Sequence, residues 1–231
     1  MREPGKYPPP CALLLDLDGT LVDTLGFLFE AFRHGLEPFV TRLPTDEEIV
    51  ATFGPSEPEC LARYLRRAET EGFGKATAEA ATPEAARRFF TYYESGCDQV
   101  RAFPGMVEVI QEMGRQGRPV GVFTGKGRRG AEYTLSQLGL WPRGVQCLVS
   151  SDDVTFAKPH PEGVFQALEQ LAVTKDVLLF VGDAPADIQS GKAAGVRTAA
   201  ALWGSFDKEA TLKADPTYAC RNVAELRDIV T

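Results

Sequence analysis

The run Cys11-Ala12-Leu13-Leu14-Leu15, leading into Asp16-Leu17-Asp18, limits most tightly what this chain can fold into. A strand with one wet face alternates apolar and polar residues. A continuous apolar run of this length belongs to a strand covered on both faces, as in the middle of a parallel sheet. Asp16 and Asp18 stand two residues apart at its end, so on extended backbone their side chains leave from the same face.

Four further segments read as strands: Pro119 to Thr124, Val145 to Ser150, Val177 to Gly182 and Thr198 to Leu202. Helical spacing lies between them, over Met106 to Gln116, Glu132 to Leu138, Glu162 to Leu171 and Ala184 to Ala194, the last stopped by Gly195. This alternation specifies an α/β fold: a doubly wound, mostly parallel sheet, Rossmann-like in plan. From Thr24 to about Val100 the pattern is helical only, over Leu25 to Phe39, Asp46 to Phe53, Pro58 to Glu71 and Pro83 to Asp98. Lys75 to Thr82 is Ala-rich, lacks a strong apolar stripe and reads as a loop or a weak helical turn. The expected domains are a catalytic core of residues 1–23 and 101–231 and an α-helical insert of residues 24–100.

The 231 residues suffice for one such core plus a smaller insert. A net charge of -7 argues against a nucleic-acid surface and against docking on an anionic membrane. No apolar run is long enough to span a bilayer. Met1 to Pro10 carries Arg2, Glu3 and three consecutive prolines, without the apolar centre of a signal peptide, and reads as a short disordered tail. Cys11, Cys60, Cys97, Cys147 and Cys220 are scattered and odd in number, which fits reduced buried thiols in a cytoplasmic protein. A monomer and a homodimer fit the chain equally well.

Three of the strand-like runs end in polar groups useful to chemistry: Asp16 and Asp18, then Thr124, then Gly182-Asp183 with Asp187 one helical turn on. In a parallel sheet these ends share one edge. Clustered acids are costly to bury unless a cation or hydrogen bonds compensate. A hard divalent ion with oxygen ligands is the natural compensator, and Mg2+ needs only one or two carboxylates beside water and phosphate.

Asp16-Leu17-Asp18-Gly19-Thr20, Thr124 closing Val122-Phe123-Thr124-Gly125-Lys126, Lys158 in Ala157-Lys158-Pro159, and Gly182-Asp183-Ala184-Pro185-Ala186-Asp187 follow one another in order. In this the chain resembles the haloacid-dehalogenase-like hydrolases. Its helical insert is similar to the cap of their phosphoglycolate-phosphatase and β-phosphoglucomutase branch. The resemblance implies that Asp16 is the nucleophile and forms an aspartyl-phosphate. It implies that Asp18 protonates the leaving oxygen and then deprotonates the attacking water. Thr124, the Gly125 amide and Lys158 would hold the phosphoryl oxygens. Mg2+ would sit on Asp16, Asp183 and the backbone carbonyl of Asp18, with Asp187 supporting that arrangement or orienting Lys158. Dehalogenases and phosphonatases of the family lack an acid at the position of Asp18, so carbon–halogen cleavage is set aside.

The implied activity is Mg2+-dependent hydrolysis of a small phosphorylated metabolite, a phosphoglycolate-like monoester. Alternatives are a sugar phosphomutase of the β-phosphoglucomutase type, a pyrophosphatase, or a binding module that keeps the fold without turnover. His160 and His34 read as structural. Arg63, Arg66 and Arg67 read as an exposed helix face, Lys126 as a rim or plain loop residue, and Trp203-Gly204 as packing. Gly54-Pro55-Ser56 reads as a cap loop facing the substrate.

Overall fold

The structure is a computed structural model that describes residues 9–96 and 99–230. The tail expected over Met1 to Pro10 therefore lies outside the described residues apart from Pro9 and Pro10, as do Cys97 and Asp98, the last two residues of the helix expected over Pro83 to Asp98.

Strands β1 (Ala12–Leu15), β2 (Val120–Phe123), β3 (Cys147–Val149), β4 (Leu178–Gly182), β5 (Arg197–Ala201) and β6 (Tyr218–Cys220) form one sheet in the order β3-β2-β1-β4-β5-β6. Every pairing is parallel, with Leu13 opposite Val120 and Ala12 opposite Leu178. The first strand thus lies in the middle, as its continuous apolar run requires. Leu13 and Leu15 pack into one layer with Ile110, Met113, Val120 and Val122. Ala12 and Leu14 turn the other way, against Phe123, Val164 and Phe180. Strand order reverses between β1 and β4, so a crevice opens beyond their carboxyl ends, where doubly wound sheets bind ligands.

Helices α1 (Leu25–Leu36), α2 (Asp46–Val50), α3 (Glu57–Glu71) and α4 (Ala78–Ser95) follow β1 before the sheet resumes. They are succeeded by α5 (Met106–Arg115), α6 (Arg128–Gln137), α7 (Glu162–Gln170), α8 (Pro185–Ala194), α9 (Lys208–Lys213) and α10 (Val223–Val230). The inserted four have an aromatic core of their own, in which Phe32, Phe89 and Tyr93 are essentially buried.

The Ala-rich segment Lys75 to Thr82, expected to be a loop or a weak helical turn, is loop only as far as Thr77, and Ala78 begins the 18-residue helix α4. Thr77 caps it by accepting from the Ala80 amide, and Pro83 lies within the helix. Its stripe is made of alanines because α1 comes close: a Cβ at Gly35 would stand 2.8 Å from the Ala85 carbonyl. Ala78, Ala81 and Ala85 are the buried face, and their size concealed it in the sequence. Helix α6 begins four residues before the expected Glu132, and β6, α9 and α10 have no counterpart among the expected elements. Cys60, Cys147 and Cys220 are buried thiols as expected, whereas Cys11 is exposed because it precedes β1 at the bottom of the sheet. Among the described residues no helix is long and apolar enough to cross a membrane.

Candidate active site

Asp16 follows the last residue of β1, and Asp183 follows the last residue of β4. Because these strands are neighbours, the two acids share the crevice. Asp187 enters from the first turn of α8. Each of the three offers an oxygen within 4.8 Å of the others, and all three residues are buried. Lys158 lies between two of them, its Nζ 2.6 Å from Asp16 Oδ1 and 2.6 Å from Asp187 Oδ1. The second Asp187 oxygen accepts from the Ala184 amide at 3.0 Å, so one carboxylate orients the lysine and closes the helix end together. Thr20 donates to Asp183 Oδ1 at 3.0 Å. The Lys158 ammonium also stands over the rings of Phe123 and Phe180, at 4.9 and 5.7 Å.

Three carboxyls and one ammonium leave the site short of positive charge. Burial, with Asp187 adding to it against the pull of Lys158, lifts Asp16 from the ordinary 3.8 to about 7. Burial and the neighbouring Asp16 and Asp187 carry Asp183 well above the usual carboxylate range. Lys158 is held above the usual lysine value: burial opposes its charge, but Asp16 and Asp187 outweigh that. An all-oxygen donor set with an unmet need for positive charge suits a hard divalent cation.

Gly19 shows how closely the loop is fitted. Its φ is 84°, and a Cβ there would come within 2.6 Å of Asp183 Oδ2. Glycine is required on both counts. Trp203 and Gly204 do pack, and against this same loop: the Trp203 indole donates to the Thr20 carbonyl at 3.0 Å.

Asp18 turns away from the three acids. Thr24 donates to its Oδ1 at 2.5 Å, and Lys126 Nζ stands 3.3 Å from Oδ2. Lys126 is therefore neither a rim nor a plain loop residue. Its side chain is 2% exposed, with Glu57 Oε1 3.7 Å away and the Tyr93 ring 4.5 Å away. Glu57 Oε2 accepts from the Gly127 amide at 2.8 Å, at the N-terminus of α6, while Oε1 has no hydrogen-bond donor at all. Asp18 and Lys126 come from the sheet edge, but Glu57 and Tyr93 come from the insert.

Thr124 and Gly125 face the same opening. Thr124 is buried and its Oγ1 accepts from the Lys126 amide at 3.1 Å. A Cβ at Gly125 would lie 3.3 Å from the Gly54 carbonyl, so the Gly54-Pro55 loop is seated directly above it. Together these groups line a cavity of about 480 Å³ between the sheet edge and the insert. Asp16, Asp18, Thr124, Gly125, Lys158, Asp183 and Asp187 all reach it, as do Gly54 and Pro55.

His160 is exposed, accepts from the Glu162 amide and packs beside Phe156 at 4.8 Å. His34 stacks on Tyr92 at 4.8 Å. Arg63, Arg66 and Arg67 are exposed and paired with Glu59, Glu71 and Glu48. The residues sequence reasoning missed are Glu57, Tyr93 and the inward course of Lys126. Only the Lys126 position beside Thr124 gave any sign of them.

The family model described as haloacid dehalogenase-like hydrolase matches residues 13–201. The chain is 29% identical over 223 residues to the pyrophosphatase PpaX of Oceanobacillus iheyensis, covering 95% of this chain and 94% of the relative. It is 31% identical over 191 residues to a PpaX of Bacillus cereus, covering 83% and 82%. In fold it is similar to a predicted phosphoglycolate phosphatase from Haemophilus somnus 129pt, with a TM-score of 0.83 at 21% identity over 95% of this chain and 97% of the other. CbbY of Rhodobacter sphaeroides, solved with xylulose-(1,5)bisphosphate, superposes with a TM-score of 0.77 at 23% identity over 94% and 96%. A doubly wound sheet with acids at two adjacent strand ends and a lysine between them defines a class of hydrolase. This chain belongs to the haloacid dehalogenase-like hydrolases.

Proposed function

We propose that the chain is a Mg2+-dependent phosphatase that hydrolyses a small organic phosphate monoester through an aspartyl-phosphate on Asp16. The observation that carries the reading is the placement of Lys158 between Asp16 and Asp187, with Asp183 completing an oxygen cluster of 4.8 Å span. That arrangement gives a carboxylate nucleophile, a fixed cation beside it, and donors for a metal.

In this reading Asp16 Oδ attacks phosphorus in line with the departing oxygen. The Thr124 hydroxyl, the Gly125 amide and the Lys158 ammonium take up the phosphoryl oxygens. Asp18 delivers its proton to the leaving oxygen and recovers one from the water that cleaves the acyl-phosphate. Thr24 and Lys126 hold its carboxyl in place for both transfers. Asp16 and Asp183, with the Asp18 carbonyl, would hold the metal, while Asp187 keeps Lys158 aligned and stands close enough to contribute an oxygen. A bound divalent cation offsets the repulsion between the carboxylate and the phosphate dianion. The insert, residues 24–100, acts as a cap that closes the cavity against water.

The test is release of phosphate from p-nitrophenyl phosphate. We expect activity with Mg2+, loss in EDTA and recovery when Mg2+ is restored. Full activity in EDTA refutes the metal's part, and no release under any condition refutes the phosphatase. A hexose 1-phosphate that yields the 6-phosphate isomer rather than free phosphate identifies a phosphomutase instead.

A further inference from the structure

We propose that the alcohol portion of the substrate is apolar and carries no second anionic group; this rests on the phosphatase reading above. The cavity has two unlike ends. At the sheet edge lie Asp16, Asp18, Asp183, Asp187, Thr124 and the two lysines. At the far end its walls are Leu25, Leu28, Phe32, Val50, Phe53 and Phe206. Leu28 and Phe32 are buried and help build the insert core, so these walls are fixed. Phe53 is held among Phe29 and Phe32, with ring centroids 6.4 and 6.1 Å away, and Phe206 meets Phe29 edge-on at 6.3 Å. Phe206 remains 47% exposed, an aromatic face with room for a ligand to cover it.

Charge points the same way. Six carboxyl groups reach the cavity, those of Asp16, Asp18, Glu57, Asp183, Asp187 and Asp207. Among the described residues its only cations are Lys126 and Lys158, and both are already paired with two carboxylates each. Even with one divalent cation bound, these carboxyls outnumber the positive charges, so every anionic group beyond the reacting phosphoryl adds to the excess. A second phosphate or a carboxylate at the far end finds no arginine, histidine or free lysine among the described residues there. The insert's arginines are engaged elsewhere, Arg66 and Arg67 with Glu59, Glu48 and Glu71 on an exposed face, Arg33 with Asp46, and Arg63 and Arg88 with the Thr52 and His34 carbonyls. Helix α3 brings its N-terminus to the cavity, but its first-turn Glu57 already presents a carboxylate. An uncharged hydrocarbon or aromatic group satisfies the far walls by burial, which is the usual composition of a small-molecule pocket.

The experiment compares esters of unactivated alcohols, so that leaving-group strength does not decide the outcome. Benzyl phosphate and hexyl phosphate are set against 2-phosphoglycolate, glycerol 1-phosphate, glucose 6-phosphate and pyrophosphate, all with Mg2+. We expect kcat/KM for benzyl or hexyl phosphate to exceed each of the polar substrates by about tenfold or more, the range apolar pockets discriminate. Phe206→Ser, at a half-exposed position that does not threaten folding, should raise KM for benzyl phosphate by about tenfold and that for glycerol 1-phosphate by less than about twofold. Preference for 2-phosphoglycolate, glucose 6-phosphate or pyrophosphate overturns the inference and leaves the phosphatase standing. So does an equal effect of Phe206→Ser on both esters. Release from no ester overturns both readings.

Discussion

Replacing Asp16 by Asn should abolish turnover and make the metal-free protein more stable. The magnitude follows from the site. Burial without enough positive charge lifts the Asp16 carboxyl from 3.8 to about 7. Between those two values the folded chain holds a proton that the unfolded chain has released, so stability falls as pH rises through that window. Above it the ionised carboxylate opposes folding by about 4 kcal/mol, at 1.36 kcal/mol for each tenfold step. Water entering the cavity screens the charge, which makes that figure a ceiling; about 2 kcal/mol is the working expectation. Asn keeps the shape and can accept from Lys158, which retains Asp187 as its charged partner. Urea unfolding in EDTA at about pH 8 should therefore show Asp16→Asn more stable than the natural chain by about 2 kcal/mol. By about pH 5 more than half of the gain should be gone, because there the natural carboxyl is itself protonated in the folded state. Adding Mg2+ should stabilise the natural chain more than the variant, since in the proposed reading Asp16 is one of the groups that hold the ion in the folded form. A variant less stable than the natural chain at pH 8 in EDTA, or a difference that does not change with pH, refutes the reasoning.

Lys126→Met leaves the buried Glu57 carboxylate and the half-buried Asp18 carboxylate without their cation and should cost about 3 kcal/mol, read by urea unfolding. Adding Glu57→Gln should recover part of that loss, because one fewer buried charge is then stranded; the double variant measured against both single ones tests it. Gly204→Ala places a Cβ 1.9 Å from the Gly19 carbonyl. It should lower thermal stability and activity together, at about 1–3 kcal/mol of overpacking. Aluminium and beryllium fluorides should inhibit p-nitrophenyl phosphate hydrolysis as mimics of a phosphoryl group on Asp16, and unaltered rates in their presence would count against the covalent intermediate.

The sheet was legible where burial on both faces writes itself into consecutive apolar residues. Leu13-Leu14-Leu15 alternates between two packed layers, so every position is apolar. Tyr218–Cys220 is an edge strand of three residues, two of them only half-buried, and has no such run to show. Helix α4 escaped for a different reason. Where Gly35 of α1 leaves no space for a larger residue, the buried face must be alanine. A face of alanine gives almost no hydrophobic contrast, and Pro83 within it reads as a break.

The acids and Lys158 were legible because each lies at a strand end or beside a helix start, where topology alone gathers them. Lys126 was not, because sequence near Thr124 does not tell whether its side chain runs outward to water or inward. Its direction is decided by Glu57 and Tyr93, which lie 69 and 33 residues earlier and arrive only through the folding of the insert. The two buried lysines thus stand in different relations to the sheet. Lys158 is held by Asp16 at the end of β1 and Asp187 in the first turn of α8, so its position needs nothing from the insert. Lys126 is held by one acid of the edge and one of the insert, with an insert ring beneath it. Any movement that lifts α3 from the sheet therefore removes the Glu57 partner from Lys126 and disturbs the group that holds Asp18, while leaving Asp16 and Lys158 paired. Asp16 and Asp18 are thus coupled to the insert unequally, and in the phosphatase reading the proton transfers proposed for Asp18 are the steps most exposed to its opening.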